Sequence, residues 1–120
     1  MFSTVRSPEL SEGEHPVASV SASRQEGGSR RIVGGRLFVT SQRLVHAPGP
    51  LERLMRRKQW ACQLDDVAEV TEGGRFTSSV GAFGAALDVT LRTGERVRFR
   101  LWRTEAIAET IRRAMQPGTS

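Results

Sequence analysis

Apolar and polar residues alternate along most of the chain, and the period is two. Ala18, Val20 and Ala22 alternate with Val17, Ser19 and Ser21, which predicts a strand. A stronger strand runs from Ile32 to Thr40, with Gly34-Gly35 inside it marking a bulge or a close backbone approach. Ser41-Gln42 is a short connection, and Arg43-Leu44-Val45-His46 returns as the partner strand until Pro48-Gly49-Pro50 stops it. Trp60, Cys62 and Leu64 share one face of a further strand; Asp65-Asp66 turns the chain, and Val67 and Val70 begin a short strand that Gly73-Gly74 ends. Residues 76–84 fit a loop or an irregular edge strand. Leu87, Val89 and Leu91, then Val97, Phe99 and Leu101, form the clearest hairpin. Opposed residues must share a face, so Leu91 is expected opposite Val97 and Asp88 opposite Arg100, across an odd loop of three residues.

The period changes in two places. Leu51, Leu54 and Met55 follow i, i+3, i+4 behind Pro50, enough for one helical turn. Ile107, Ile111, Ala114 and Met115 form one stripe of a C-terminal helix, with Thr104 as its candidate cap. Glu105 and Glu109 stand early in it and Arg112 and Arg113 late, as the helix dipole favours. About seven short strands and one amphipathic helix predict a mainly β sandwich or partly open barrel, with the helix covering one open end. Residues 1–14 have no periodicity and read as a flexible arm, 15–116 as the domain and 117–120 as a tail.

The segment Gly35-Arg36-Leu37-Phe38-Val39-Thr40-Ser41-Gln42-Arg43-Leu44-Val45 resembles the G-x-L-φ-φ-T-x-x-R-L-φ hairpin of the pleckstrin-homology-like superfamily, where φ is apolar. The likeness is nearest to its GRAM and bacterial PH-like branches. Leu64-Asp65-Asp66-Val67 and Arg92-Thr93-Gly94-Glu95 with Arg98-Phe99 are similar to later steps of the same pattern. The resemblance implies a bent antiparallel β-sandwich of about seven strands closed at a corner by the C-terminal helix. It implies a non-catalytic module that binds lipid, phosphoinositide or protein. It also gives Thr40 a hydrogen bond within the turn and Arg43 a stem packed on the sheet. Fold alone does not fix function.

Composition narrows the classes. One domain fits 120 residues, and 38% hydrophobic with 26% charged residues is ordinary for a globular chain. A single cysteine, Cys62, excludes an intrachain disulfide. Neither a signal peptide nor a run of about 20 apolar residues is present, so a cytoplasmic protein is expected, peripheral at the inner membrane surface if it binds lipid.

The formal charge of +5 is uneven: residues 31–60 hold seven basic side chains against one acidic, and residues 61–90 one against five. Two features could use the excess. In the 51–60 stretch, Leu51, Leu54 and Met55 adjoin Arg53, Arg56, Arg57 and Lys58, an apolar wedge with a basic collar. The same residues also fit a turn that closes the barrel mouth with its charges solvated. Arg96, Arg98 and Arg100 line the outer face of the last strand, where Asp88 is expected to neutralise Arg100.

Catalytic chemistry is not indicated. His15 and His46 have no partner at useful spacing, Cys62 shares the apolar face of Trp60, and Asp65-Asp66 reads as a turn. No metal-ligand spacing, phosphate loop or cofactor motif occurs. Without tyrosine, and without aromatics alternating with the arginines, a stacking platform for nucleic acid is missing despite a pI of 11.1. The reading is a binding module for anionic lipid head groups or an acidic protein surface, without cofactor or small-molecule substrate. The alternative is a protein-interaction or self-assembly module that pairs through an open sheet edge.

Overall fold

The computed structural model describes residues 9–25, 32–49, 59–77, 83–101 and 104–116. Nine strands and one helix follow in order: β1 (Pro16–Ser21), β2 (Ser23–Gln25), β3 (Ile32–Val33), β4 (Gly35–Thr40), β5 (Arg43–Pro48), β6 (Trp60–Gln63), β7 (Val67–Thr77), β8 (Phe83–Leu91), β9 (Arg96–Leu101) and α1 (Thr104–Met115). They build two antiparallel sheets, one ordered β1-β4-β5-β6 and the other β3-β2-β9-β8-β7.

Nine strands come from seven runs of chain. The run 16–25 breaks at Ala22 and the run 32–40 breaks at Gly34, and at each break the chain passes from one sheet to the other. The expected single strand Ile32–Thr40 is therefore two, and β2 is a strand that periodicity does not show. Glycine makes the second crossing possible. A Cβ on Gly35 would overlap the Ala47 carbonyl and stand 3.0 Å from Pro48 Cα. Ala22 N–H donates to Gly35 O at 3.1 Å, and Gly49 N–H to Gly34 O at 3.0 Å, so the corner keeps its backbone bonds.

Alternation sets the core. Leu37, Val39, Leu44, Leu87, Val89 and Phe99 point between the sheets and are almost wholly buried. Ile107, Ala108 and Ile111 of α1 close the same cluster, as the helical stripe predicts. Trp60 packs edge-on to Phe99 with ring centroids 5.5 Å apart. On the opposite face of the four-stranded sheet, Phe38, Val45 and Ala47 form a smaller buried group.

Three details depart from the sequence reading. Leu64 leaves the strand and begins a 3-10 turn, Leu64–Asp66. β7 does not stop at Gly73-Gly74 but continues to Thr77, its register to β8 shifting between Glu72 and Arg75. In the last hairpin Val97 opposes Val89, and Asp88 opposes Arg98, two positions from the expected register. The loop is three residues, 92–94, not 93–95. Gly94 has φ +95° and donates to Leu91 O at 2.9 Å, while Leu91 N–H donates to Glu95 O at 2.8 Å. The only glycine of the turn sits where the third loop residue must be left-handed, and that fixes the register. A slip of two keeps every side chain on its face, which is why alternation alone could not locate it. The helical turn expected at 51–55 lies outside the described residues.

Candidate functional site

Of the residues singled out for binding, Arg53, Leu54, Met55, Arg56, Arg57 and Lys58 lie outside the described residues. Their stretch joins β5 to β6, and the two strands meet where His46 opposes Trp60. Arg96 and Arg98 are described, both exposed on the outer face of β9. They are not equivalent. Arg98 holds Asp88 with both ends of its fork, Nε to Oδ1 at 2.8 Å and Nη2 to Oδ2 at 3.0 Å. This bidentate pair, directly cross-strand, raises the Arg98 pKa further above its ordinary value. The acid was expected on Arg100; the two-residue register difference moves it to Arg98. Arg96 remains the exposed cation of this face, and Arg100 is half-buried.

Most other described arginines engage the protein itself. Arg92 Nε donates to Asp65 O at 2.7 Å, Arg112 Nη2 to Val70 O at 2.9 Å, and Arg113 pairs with Glu109 one helical turn away at 3.1 Å. Arg43 belongs to a buried clasp. Its Nε donates to Glu14 Oε2 at 2.8 Å, and its Nη2 donates to Glu9 O. Thr40 Oγ1 donates to the same Glu14 oxygen at 2.5 Å and accepts the N–H groups of Gln42 and Arg43 at 3.1 and 3.0 Å. Glu14 Oε1 takes the Ser11 N–H at 2.9 Å. The hydrogen bonds from Arg43 and Thr40 hold the Glu14 carboxyl at about 2, below its usual 4.5. Thr40 thus has the turn role expected of it. Arg43 is an ion-pair partner as well, and Glu14 is the residue that sequence reading missed. The pair is separated by 29 positions, and no local pattern announces it.

Beside the clasp, a cleft of about 940 Å³ opens between the C-terminal half of α1 and the turn end of the four-stranded sheet. Its polar rim includes His15, Gln42, Gln63, Asp65, Thr110 and Arg113, over Ala114 and Met115. Neutral amides, one carboxylate and one guanidinium already paired with Glu109 make it polar without a dominant sign of charge. None of these residues was singled out for binding from the sequence, where they belong to five separate segments.

His46 and Cys62 are placed for packing. His46 is fully buried, its Nε2–H donating to Ala22 O at 2.8 Å and its ring 5.7 Å from that of Phe99. Burial pushes its pKa down to about 4, so it is neutral at pH 7. Cys62 is half-buried against the core, and burial raises its thiol to about 11. Among the described residues, no group of three or more His, Cys, Asp or Glu could hold a metal ion. No helix among them is long and apolar enough to cross a membrane.

The architecture is similar to that of the Vps36 N-terminal PH domain, with a TM-score of 0.63 and 21% identity over 92% of each chain. It is also similar to the C-terminal domain of an unknown protein from Leishmania infantum, with a TM-score of 0.62 and 16% identity over 88% of each chain. No known family's sequence profile matches the chain. No curated protein matches it either. The fold is PH-like: two antiparallel sheets and a C-terminal helix.

Proposed function

We propose that the chain is a non-catalytic binding module, with residues 15–116 as its domain, that attaches to anionic lipid head groups through the connection between β5 and β6. Arg53, Arg56, Arg57 and Lys58 supply the charge, and Leu54 and Met55 supply an apolar tip. Arg96 adds a further cation, and Arg98 contributes little because Asp88 holds it. One observation carries the reading. The described arginines are mostly engaged within the sandwich, whereas the sequence of residues 51–58 holds four cations and three apolar residues with one acid, Glu52. The PH-like fold and the GRAM-like 35–45 hairpin support it by analogy.

The strength follows from charge. Basic residues near an anionic leaflet contribute about 1 kcal/mol each, so four contribute roughly 4 kcal/mol, about a thousandfold in partitioning. Such binding is reversible and salt-sensitive. The test is co-sedimentation with phosphatidylserine-containing and neutral phosphatidylcholine vesicles at low and physiological salt. Native protein is expected to pellet with the anionic vesicles, and a variant with all four cations changed to Gln is expected to stay in solution. Equal behaviour of the two proteins, or of the two vesicle types, overturns the lipid reading in favour of an acidic protein surface.

A further inference from the structure

The four sheet edges are not alike. The five-stranded sheet ends on β3, two residues long, and on β7, whose sequence includes Glu69, Glu72 and Arg75 and whose register shifts midway. The four-stranded sheet ends on β6, with four residues, and on β1, with six. β1 reads Pro16-Val17-Ala18-Ser19-Val20-Ser21 and has no charged side chain. Natural sheets blunt their edges with shortness, charge or bulges, because an open edge is a template for another strand. β1 is blunted only at its first residues, by Pro16 and a register shift between Pro16 and Ala18, which leaves 18–21 open. Among the described residues nothing pairs with its outer side. Of the three exposed large hydrophobic residues among those described, Leu10 and Val17 border one pocket of about 400 Å³ beside it, with Phe38 among its other lining residues.

We propose that β1 is a self-association edge, on which two copies of this chain pair β1 to β1, antiparallel, about a two-fold axis. The occupant is argued from charge. Antiparallel pairing sets the start of one β1 beside the end of the other. The start is acidic, because exposed Glu9 and Glu12 lie in the segment that the clasp fixes at Thr40 and Arg43. The end is basic, because Arg36 opposes Ser21 and lies diagonally along β1, its Nε donating to Ser19 Oγ at 3.1 Å. Each copy therefore brings the complement of the ends it meets, and the uncharged strand between them does not repel its own image. Outward residues must face outward residues, so a pairing centred on Ala18 sets Val17 opposite the partner's Ser19. In that register the Val17 and Leu10 of each copy cover the pocket of the other.

The full chain is to be followed by sedimentation equilibrium from about 5 to about 200 μM, without lipid, so the outcome is independent of vesicle binding. A monomer–dimer equilibrium that persists in about 0.5 M salt is expected, since main-chain bonds and apolar contact would hold it. Val17→Lys should weaken the dimer about tenfold or more, and Leu10→Ser should weaken it too. Both variants are to be checked by circular dichroism and Tm for an unchanged fold. Arg36→Glu should weaken the dimer about threefold at low salt, and adding Glu9→Arg and Glu12→Arg should restore it. A monomer at every concentration overturns the proposal, as does a dimer indifferent to Val17→Lys. A dimer weakened by Arg36→Glu but not rescued by the added changes overturns the antiparallel pairing.

Discussion

Glu14 is the residue on which the start of the domain depends. Its carboxylate is buried and takes bonds from Arg43, Thr40 and Ser11. Glu14→Ala removes all three, and Arg43, about one-fifth exposed, can turn its charge to water, so a loss of about 1–3 kcal/mol is expected in urea unfolding. Acid should act on two residues in succession. His46 is neutral in the fold down to about pH 4, whereas its ordinary value is 6.5. Between those values the unfolded chain binds the extra proton, so stability falls as the pH drops from about 6.5 to 4. Glu14 is held at about 2 against an ordinary 4.5; its contribution is full above about pH 4.5 and is lost as the pH falls toward 2. A Tm profile against pH should show both declines; His46→Phe should flatten the upper one and Glu14→Gln the lower. The sequence is uneven at this scale. Thr40 and Arg43 stand in a readable hairpin pattern, three residues apart. Glu14 precedes them by more than three strands, and its partnership exists only once β1 and β4 have paired. His46 looked like a strand end because the bond that buries it goes to Ala22, 24 positions away.

At the scale of elements, turns and corners carry the information that alternation lacks. Period two says which face a side chain takes, and it named the inward residues of β8 and β9. It says nothing of which neighbour lies opposite, so the last hairpin needed Gly94 to be placed. Nor can it say where a strand changes sheets: Gly34-Gly35 reads as a bulge or a close backbone approach, and the close approach is there, but at a crossing between sheets. Gly35→Ala tests that corner. Its methyl would meet main chain, not a movable side chain, so a loss of about 1–3 kcal/mol, seen as a lower Tm, is expected. Gly94→Ala meets open space and has only its left-handed φ to oppose it, so about 1 kcal/mol is expected there. The outer face of β9 makes a sharper distinction. Arg98 is held by Asp88, so Arg98→Gln should leave binding to anionic vesicles within about twofold, whereas the four changes at 51–58 should abolish it. A large loss from Arg98→Gln would move the binding surface onto the sheet.

For the whole molecule, the mainly β architecture with a closing helix was legible because both periods are clean and the helical stripe needs a core to cover. The cleft beside α1 was not, since its lining is drawn from the ends of two strands, two turns and a helix that adjoin only in three dimensions. The two proposals also meet at this scale. A dimer joined through β1 would carry two basic connections, and where both can reach one membrane the second contact becomes intramolecular. Vesicle binding by native protein should then exceed that of Val17→Lys by more than tenfold, though the variant keeps every cation. The crossings at Ala22 and Gly34 have one more consequence. Because residues 16–49 contribute strands to both sheets, neither sheet belongs to one half of the chain. A peptide of residues 1–49 would lack β9, on which β2 pairs, and a peptide of residues 50–120 would lack the neighbours of β6. Each piece alone should give the circular dichroism of an unfolded chain, and mixing the two should recover the β spectrum, so the molecule would reassemble from its fragments or not at all.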